Sequence, residues 1–502
     1  MMHKLKALLD RTTTYRVVLY YLAALLAAAV LFGALGVLPY APLTLLFSAG
    51  VLLAAAGISN SVLARFFGAV TNLESAFITA LILALILPPD AVAGASGSAA
   101  FTVIAVIAMA SKYLLSIGKK HIFNPAAFAA VFSAFALGIP ATWWVSGSMA
   151  LLPFVVFGGL LVVYKLQRFD LVIAFAIAAL GATALTSPSP LIALRETLLS
   201  SAFFFLAFAM LTEPLTMPPA RRMRVAYGAL VGVLLAPAAH IGSYYFSPEV
   251  GLLVGNAFSY LVSPKGRYAL TLIERRKLAR GIYEFVFRPD RRIRFAPGQY
   301  LEWTLGRVPF DSRGNRRYFT IASSPREENI RLGVRFYDAP SAFKRTLAAL
   351  PYSGVISAAA LAGEFTLPKD RKRKLAFIAG GVGITPFASM ARHLTASEES
   401  HDAVLLYSSR TAEEVAYQDV FARAVKWGLR TVYVLTEAAS PLRGAHGGKI
   451  DEALITREIP DYQERLFYLS GPPGMVSAMK RLLLDLGVPR LSIKTDYFPG
   501  LA

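Results

Sequence analysis

The chain has 502 residues, 56% of them hydrophobic, and a mean hydropathy of +0.53, too apolar for an ordinary soluble protein. It contains no cysteine, which excludes iron–sulfur clusters, cysteine-ligated zinc, disulfides and thiol catalysis. The net charge of +20 divides as 14 Lys+Arg against 7 Asp+Glu up to Ser263 and 37 against 24 beyond it, a balance suited to anionic lipid and phosphate-bearing cofactors, with no nucleic-acid partner expected.

From the N-terminus, apolar runs near the ~20 residues that cross a bilayer occur at 16–38, 42–63, 73–89, 98–116, 123–140, 149–165, 169–185, 198–214, 225–241 and 249–263. Residues 1–263 are therefore expected to form a polytopic α-helical bundle of ten spans. The first run, flanked by Lys4, Lys6, Arg11 and Arg16, is too long for a signal peptide and reads as a retained span. Arg65, Lys119 with Lys120, Lys165 with Arg168, and Arg221, Arg222 and Arg224 fall in even-numbered loops, while the odd-numbered loops carry only Arg195. The positive-inside rule then predicts an integral, multi-pass protein of a bacterial-type inner or plasma membrane with both termini cytoplasmic.

Leu85-Ile86-Leu87-Pro88-Pro89 followed by Asn124, and Leu215-Thr216-Met217-Pro218-Pro219 followed by Asn256, suggest an internal duplication. Five spans per half would make inverted repeats with a binding site between them near the midplane. Chance Pro-Pro pairs with ordinary packing asparagines explain the pattern equally well.

The run Ile78-Thr79-Ala80-Leu81 into Pro88-Pro89, Phe123-Asn124-Pro125-Ala126, and Thr212-Glu213-Pro214 resemble the membrane flavoprotein family shared by sodium-pumping NADH:quinone reductase and the Rnf electron-transport complex, over roughly residues 15 to 263. The resemblance implies cofactor-binding roles for Asn124 and for an FMN acceptor in a Ser-Gly-Ala-Thr-Pro-Leu-like motif. The matching stretch here is Thr186-Ser187-Pro188-Ser189-Pro190-Leu191, with Ser189 at the acceptor position. Proline replaces the motif's small neighbours, which weighs against covalent attachment, and a Ser/Pro-rich loop that simply ends a helix is the plainer alternative.

Near Gly266 the pattern changes to short alternating strands with Gly/Pro turns, such as Tyr268-Ala269-Leu270-Thr271-Leu272-Ile273. An antiparallel β-barrel is expected over 266–368 and a parallel α/β nucleotide-binding domain over 374–502. Pro297-Gly298-Gln299-Tyr300 and Arg317-Tyr318-Phe319-Thr320 resemble the ferredoxin–NADP reductase family, over essentially residues 266 to 502. That resemblance implies FAD held by Arg317 at its pyrophosphate, with Tyr300 nearby, Phe319 stacked on the isoalloxazine, and Thr320 at the flavin N5 region. Ser341, Phe343 and Lys344 open a helix suited to the second face of the pyrophosphate.

A strand, Leu375-Ala376-Phe377-Ile378-Ala379, runs into Gly380-Gly381-Val382-Gly383-Ile384-Thr385-Pro386 and a helix, the pattern of a dinucleotide-binding turn. Gly380, Gly381, Gly383, Thr385 and Pro386 are its cofactor-binding residues. The family resemblance places Ser409 and Arg410 at the adenosine ribose or its 2′-phosphate, leaving NADH and NADPH open. It also places Ser470, Gly471, Pro472, Pro473 and Met475 beside the nicotinamide, Ser470 standing where the family has cysteine, and Asp496 and Phe498 on the flavin face.

The implied function is a membrane-bound FAD-dependent NAD(P)H oxidoreductase whose partners are the lipid bilayer and a quinone, flavin or protein electron acceptor, with onward delivery to an extracytoplasmic acceptor one continuation. The competing readings are a redox-driven ion pump component, which needs ionisable residues in spans such as Glu74, Lys112 and Glu213, and a solute transporter with a nucleotide-sensing domain. Two haems need four intramembrane histidines; of six histidines only His240 falls in a predicted span, so neither haem nor a metal site is expected.

Overall fold

In the computed structural model the described residues are 12–67, 73–117, 120–263, 267–306, 315–338, 340–437, 442 and 444–496. Lys4, Lys6, Arg11, Lys119 and the predicted boundary at Gly266 lie outside them. The chain divides into two compact units, Met1–Lys265 and Gly266–Phe498.

The first unit is helical: α1 (Thr14–Ala34), α2 (Pro42–Phe66), α3 (Leu73–Ile86), α4 (Gly94–Leu114), α5 (Pro125–Leu137), α6 (Leu152–Leu166), α7 (Phe169–Thr186), α8 (Pro190–Leu199), α9 (Phe203–Met210), α10 (Arg221–Leu235) and α11 (Pro248–Val262). A helix or helix pair occupies every predicted interval, but the described residues do not form ten complete spans. Among the described residues, α1, α2, α4 and α7 are long and apolar enough to cross a membrane, and the pair α8–α9, bent by 58°, makes five at most. Helices α3 and α5 have 14 and 13 residues; at ~1.5 Å per residue each rises about 20 Å, short of ~30 Å of hydrocarbon.

The predicted windows overran real helix ends. Helix α3 stops before Pro88-Pro89, and α5 ends on Gly138 in the left-handed region (φ 67°). Pro237 follows the end of α10, which moves His240 out of the predicted ninth span into an exposed two-residue hairpin strand paired with Tyr245.

Close backbone approach holds α7 against α10. An added Cβ at Gly228 would lie 2.6 Å from Leu171 O, and one at Gly232 2.4 Å from Phe175 O. Small residues four apart let helices touch where lipid offers no hydrophobic drive. Gly232→Leu is expected to lower the thermal midpoint of the helical unit in detergent, followed by circular dichroism, since overpacking typically costs ~1–3 kcal/mol.

The second unit opens with a six-stranded antiparallel sheet of β1 (Tyr268–Ala279), β2 (Ile282–Pro289), β3 (Tyr300–Thr304), β4 (Arg316–Thr320), β5 (Ile330–Arg335) and β6 (Val355–Ala362), in the order β4-β3-β6-β1-β2-β5. Its two edges meet just past β4, where Ala322 N–H donates to Arg331 O (2.8 Å), so the sheet curls toward a barrel around Phe285, Phe287 and Trp303. Helix α12 (Ala342–Ala348) lies between β5 and β6 in the chain.

A second six-stranded sheet follows, wholly parallel: β7 (Leu375–Gly380), β8 (Ala403–Ser409), β9 (Leu429–Leu435), β10 (His446–Gly447), β11 (Leu466–Ser470) and β12 (Ile493–Thr495), ordered β10-β9-β8-β7-β11-β12. Helices α13 (Thr385–Ser397), α14 (Gln418–Ala424), α15 (Glu452–Glu458) and α16 (Pro473–Asp485) connect it. Strand β7 is buried along its whole length: Leu375, Phe377 and Ala379 join one core while Ala376 and Ile378 join another, as a strand covered on both faces requires. Strand order reverses between β7 and β11, and that switch point is where an open parallel sheet leaves a crevice at the carboxyl ends of its strands.

At the amino ends of the central strands Arg465 bonds Asp461 (2.6 Å) and Asp402 (2.8 Å), and Lys374 reaches Asp461 at 2.9 Å. The Arg465 guanidinium, helped by Lys374, holds the Asp461 carboxyl down from 3.8 to about 2. A depressed acid contributes stability that is complete above its ordinary value and vanishes as pH falls through the folded one. Asp461→Asn should therefore lower the melting temperature by a small, constant amount above pH ~5, the staple being largely solvent-screened, and that gap should close between pH ~4 and ~2.

Candidate functional site

Strand β4 pairs with β3 so that Thr320 faces Tyr300, Phe319 faces Leu301, Tyr318 faces Glu302 and Arg317 faces Trp303. Strand alternation therefore splits the predicted flavin residues between two faces. On one, Arg317 lies over the Phe343 ring at 5.4 Å and Phe319 meets the same ring at 5.9 Å. On the other, Tyr300 and Tyr318 pack edge to face at 5.6 Å near buried Thr320, and the Tyr318 hydroxyl donates to Glu302 Oε2 at 2.8 Å. The family resemblance implies no role for Tyr318, which the fold places beside Tyr300.

Ser341 caps α12 by accepting from Lys344 N–H at 3.3 Å, and Phe343 is buried in the barrel core. The Lys344 ammonium turns to the end of β5, donating to Arg335 O at 2.8 Å and sitting 5.1 Å from the Tyr337 ring centre. The Arg335 guanidinium reaches the dinucleotide turn: its Nη1 would be 3.3 Å from a Cβ at Gly381. Sequence alone gave no sign of Arg335, because its partners come from the other domain.

The turn itself needs glycine for two reasons. Gly381 has φ 53°, in the left-handed region, and an added Cβ at Gly383 would lie 2.6 Å from Gly471 Cα, Gly471 N and Ser470 C. The β7 and β11 turns thus touch backbone to backbone at the switch point. Gly380 faces Met475, whose Sδ would be 2.3 Å from an added Cβ, with Pro472 Cδ at 3.0 Å. Pro473 and Met475 begin α16, and Thr385 with Pro386 begins α13, the Thr385 hydroxyl donating to Val382 O at 3.3 Å.

Ser470 and Asp496, far apart in sequence, come together: Ser470 Oγ donates to Asp496 Oδ2 at 3.1 Å, and Asp496 N–H donates to Leu469 O at 2.9 Å. Phe498 lies outside the described residues. Ser409 is buried at the end of β8, and Arg410 pairs with Glu414 at 2.8 Å. Glu414 also holds Arg335 at 2.9 Å, so two cations at this end of the crevice share one carboxylate. A cradle that only glycine backbone fits, flanked by guanidinium and ammonium groups, suits a dinucleotide pyrophosphate.

In the helical unit Asn124 caps α5, accepting from Ala127 N–H (3.0 Å) and donating to Glu213 Oε2 (3.0 Å), while its own N–H donates to Asn256 Oδ1 (2.8 Å). The two asparagines of the repeated sequence pattern therefore meet directly. Glu213 also approaches His121 Nε2 at 3.0 Å and accepts from Thr216 at 3.0 Å. Ser75, Thr79, Asn124, Thr212 and Glu213 line part of a cavity of about 50 Å³ whose remaining wall is largely apolar, with Val18, Ile78, Ile82 and Leu166. A larger apolar groove of about 570 Å³ runs along α1, α2 and α3 past Leu26, Leu53 and Phe77. Ser189 is exposed at the start of α8, away from these features in sequence and with Ser187 accepting its N–H at 3.2 Å.

Residues 377–481 match the oxidoreductase NAD-binding domain family. A flavohemoprotein of Bacillus subtilis is 25% identical over 209 residues, covering 41% of this chain and 51% of that protein. One from Bordetella pertussis is 32% identical over 144 residues (27% and 35%), and an NADPH oxidoreductase of Mycobacterium tuberculosis is 28% identical over 199 (38% and 50%). The chain spans about half the length of the curated relatives it matches. Among solved structures, the FAD/NAD-binding domain of a Vibrio cholerae nitric oxide dioxygenase matches over 46% of this chain and 98% of its own, at 20% identity and a TM-score of 0.41. The C-terminal half thus resembles the reductase portions of these proteins, and within it residues 377–481 match an NAD-binding domain.

Proposed function

We propose that the chain is a membrane-bound NAD(P)H oxidoreductase that sends electrons from cytoplasmic NAD(P)H, by way of FAD, to a flavin or quinone in the helical unit, without haem. The observation that carries this reading is the backbone contact of the Gly383 and Gly471 turns at the switch point, a crevice shaped for a nicotinamide dinucleotide beside the flavin strand. The chemistry that FAD would supply when held there is hydride acceptance and single-electron release, which side chains alone do not provide. Arg317 and the α12 amides would hold the phosphates of FAD, and Arg335 with the glycine turn would hold those of the nicotinamide dinucleotide. Buried Ser470, fixed by Asp496, would orient the nicotinamide at that end of the crevice.

For the helical unit, support comes from four membrane-length helices and from charge placement. Asp170 at the start of α7 grips Arg224 at the start of α10 at 2.7 Å, so the basic segments that precede these two helices share one side of the bundle. That side is read as cytoplasmic under the positive-inside rule. The apolar groove suits the tail of a lipid-soluble acceptor. Cofactor extraction with mass spectrometry tests the assignment: one FAD per chain is expected, and anaerobic NADH or NADPH should bleach it. A nucleotide sensor would bind without bleaching, and a chain that retains no flavin contradicts the reading.

A further inference from the structure

The segment leaving the flavin strand, residues 321–324, is fully buried (0% exposed at Ile321, Ala322, Ser323 and Ser324) yet belongs to no strand or helix. Its polar groups must be satisfied by others. Ile321 N–H donates to Gln299 O (2.9 Å), Ala322 N–H to Arg331 O (2.8 Å) and Ser324 N–H to Glu327 Oε1 (2.8 Å). Two of its carbonyls are met from the nucleotide-binding domain: Arg392 Nη1 donates to Ala322 O at 2.9 Å and Ser389 Oγ to Ser323 O at 2.7 Å.

Ser389 and Arg392 sit three apart on α13, sharing a face. One turn earlier on that face Thr385 packs on β5, where an added Cβ at Gly333 would lie 2.7 Å from Thr385 Cγ2. Arg392 is held in turn by Glu284 on β2, whose Oε1 is 3.0 Å from Arg392 Nη2 and whose Oε2 is 3.0 Å from Arg331 Nη1. Glu284 is 1% exposed. Arg331 completes the ring through Glu327 at 2.5 Å, so two carboxylates and two guanidiniums balance.

Helix α13 begins directly after the glycine turn that receives the nicotinamide dinucleotide, and residues 321–324 begin directly after Thr320, the last residue of the flavin strand. We propose that Glu284, acting through Arg392, is a positioning residue that fixes the separation of the nicotinamide and isoalloxazine rings. It rests on the reading that hydride passes between NAD(P)H and FAD in this unit. Glu284 touches neither cofactor site; it sets the distance between the two loops that do. A misplacement of about 1 Å at remote residues costs on the order of 10²-fold in rate.

The test uses the full chain, FAD-loaded, in detergent or nanodiscs. Glu284→Gln keeps the side chain's shape and removes its charge. It is expected to retain FAD and NADP⁺ affinity while the limiting rate of anaerobic flavin bleaching by NAD(P)H falls about 10²-fold, and while the long-wavelength absorbance of the stacked nicotinamide–flavin pair is lost. Arg392→Lys, which cannot hold both Glu284 and Ala322 O, should show the same pair of changes to a lesser degree. Wild-type rate and wild-type long-wavelength absorbance in Glu284→Gln overturn the proposal. If that variant fails to fold, Ser389→Ala decides by the same two readouts, unchanged values again overturning it. A wild-type protein that NAD(P)H does not bleach sinks the underlying reading instead, a distinguishable result.

Discussion

Gly383→Ala is expected to leave FAD bound at full stoichiometry while anaerobic bleaching by NADH and NADPH slows by about 10²-fold or more. The new Cβ would sit 2.6 Å from three backbone atoms of Ser470 and Gly471, none of which can rotate away. Either the β7 and β11 turns separate or the sheet edge distorts, and both widen the crevice at the nicotinamide end, where ~1 Å is worth on the order of 10²-fold. Gly380→Ala provides the internal comparison. Its nearest neighbour would be the Met475 thioether, the far end of a flexible side chain that can swing aside. A loss under about 10-fold is expected there, on the scale of a tolerated small overpacking. Equal effects at the two glycines, measured by stopped-flow absorbance, would contradict the assignment of Gly383 to the crevice floor.

The second large effect is on flavin retention. Arg317→Ala removes the planar cation that rests on Phe343 beside Phe319. Hydrogen bonds to a charged partner are worth about 1.5–3 kcal/mol, so FAD affinity should fall by about 10- to 10²-fold and the variant should lose most of its colour during gel filtration. Arg317→Lys restores charge but not the two-pronged geometry that pairs with a pyrophosphate, and should recover only part of the loss. Flavin-to-protein ratio and fluorescence titration of the apoprotein measure both. A fully flavinated Arg317→Ala protein would place the FAD elsewhere.

What sequence reading reached in the reductase half is what local chemistry encodes. Gly380 to Pro386 is a short run between a strand and a helix where a tight turn calls for glycine, and Gly471 to Met475 and Arg317 to Thr320 are short runs that stand out by their resemblance to the ferredoxin–NADP reductase family. The ring of Glu284, Arg331 and Arg392 spans 108 residues between its ends and has no pattern in sequence; neither has the approach of Arg335 to Gly381. Alternation on β4 likewise separates Arg317 and Phe319 from Thr320, a division that the motif, read as a string, conceals.

In the helical half, hydropathy located where helices stand but not how long they are. A sliding apolar window passes over Pro88-Pro89, Gly138 and Pro237 without registering that each ends a helix, so three of the ten predicted spans are too long and His240 falls within one of them, whereas the described residues hold at most five helices of membrane length. The Asn124–Glu213–His121 cluster was half legible. Asn124 and Glu213 stood in apolar surroundings where polar groups demand partners, yet only folding shows that they are each other's partners and that Asn256 completes the set.

The central claim is electron transfer from NAD(P)H through the reductase unit into the membrane. Its most direct measurement follows the full-length protein in nanodiscs under strict anaerobiosis, with NAD(P)H added once in limiting amount and flavin and quinone absorbance recorded together. Bleaching of FAD followed by its recovery, with one two-electron acceptor reduced per NAD(P)H consumed, is the predicted result; FAD that stays bleached while membrane quinone and any second flavin remain oxidised would contradict it.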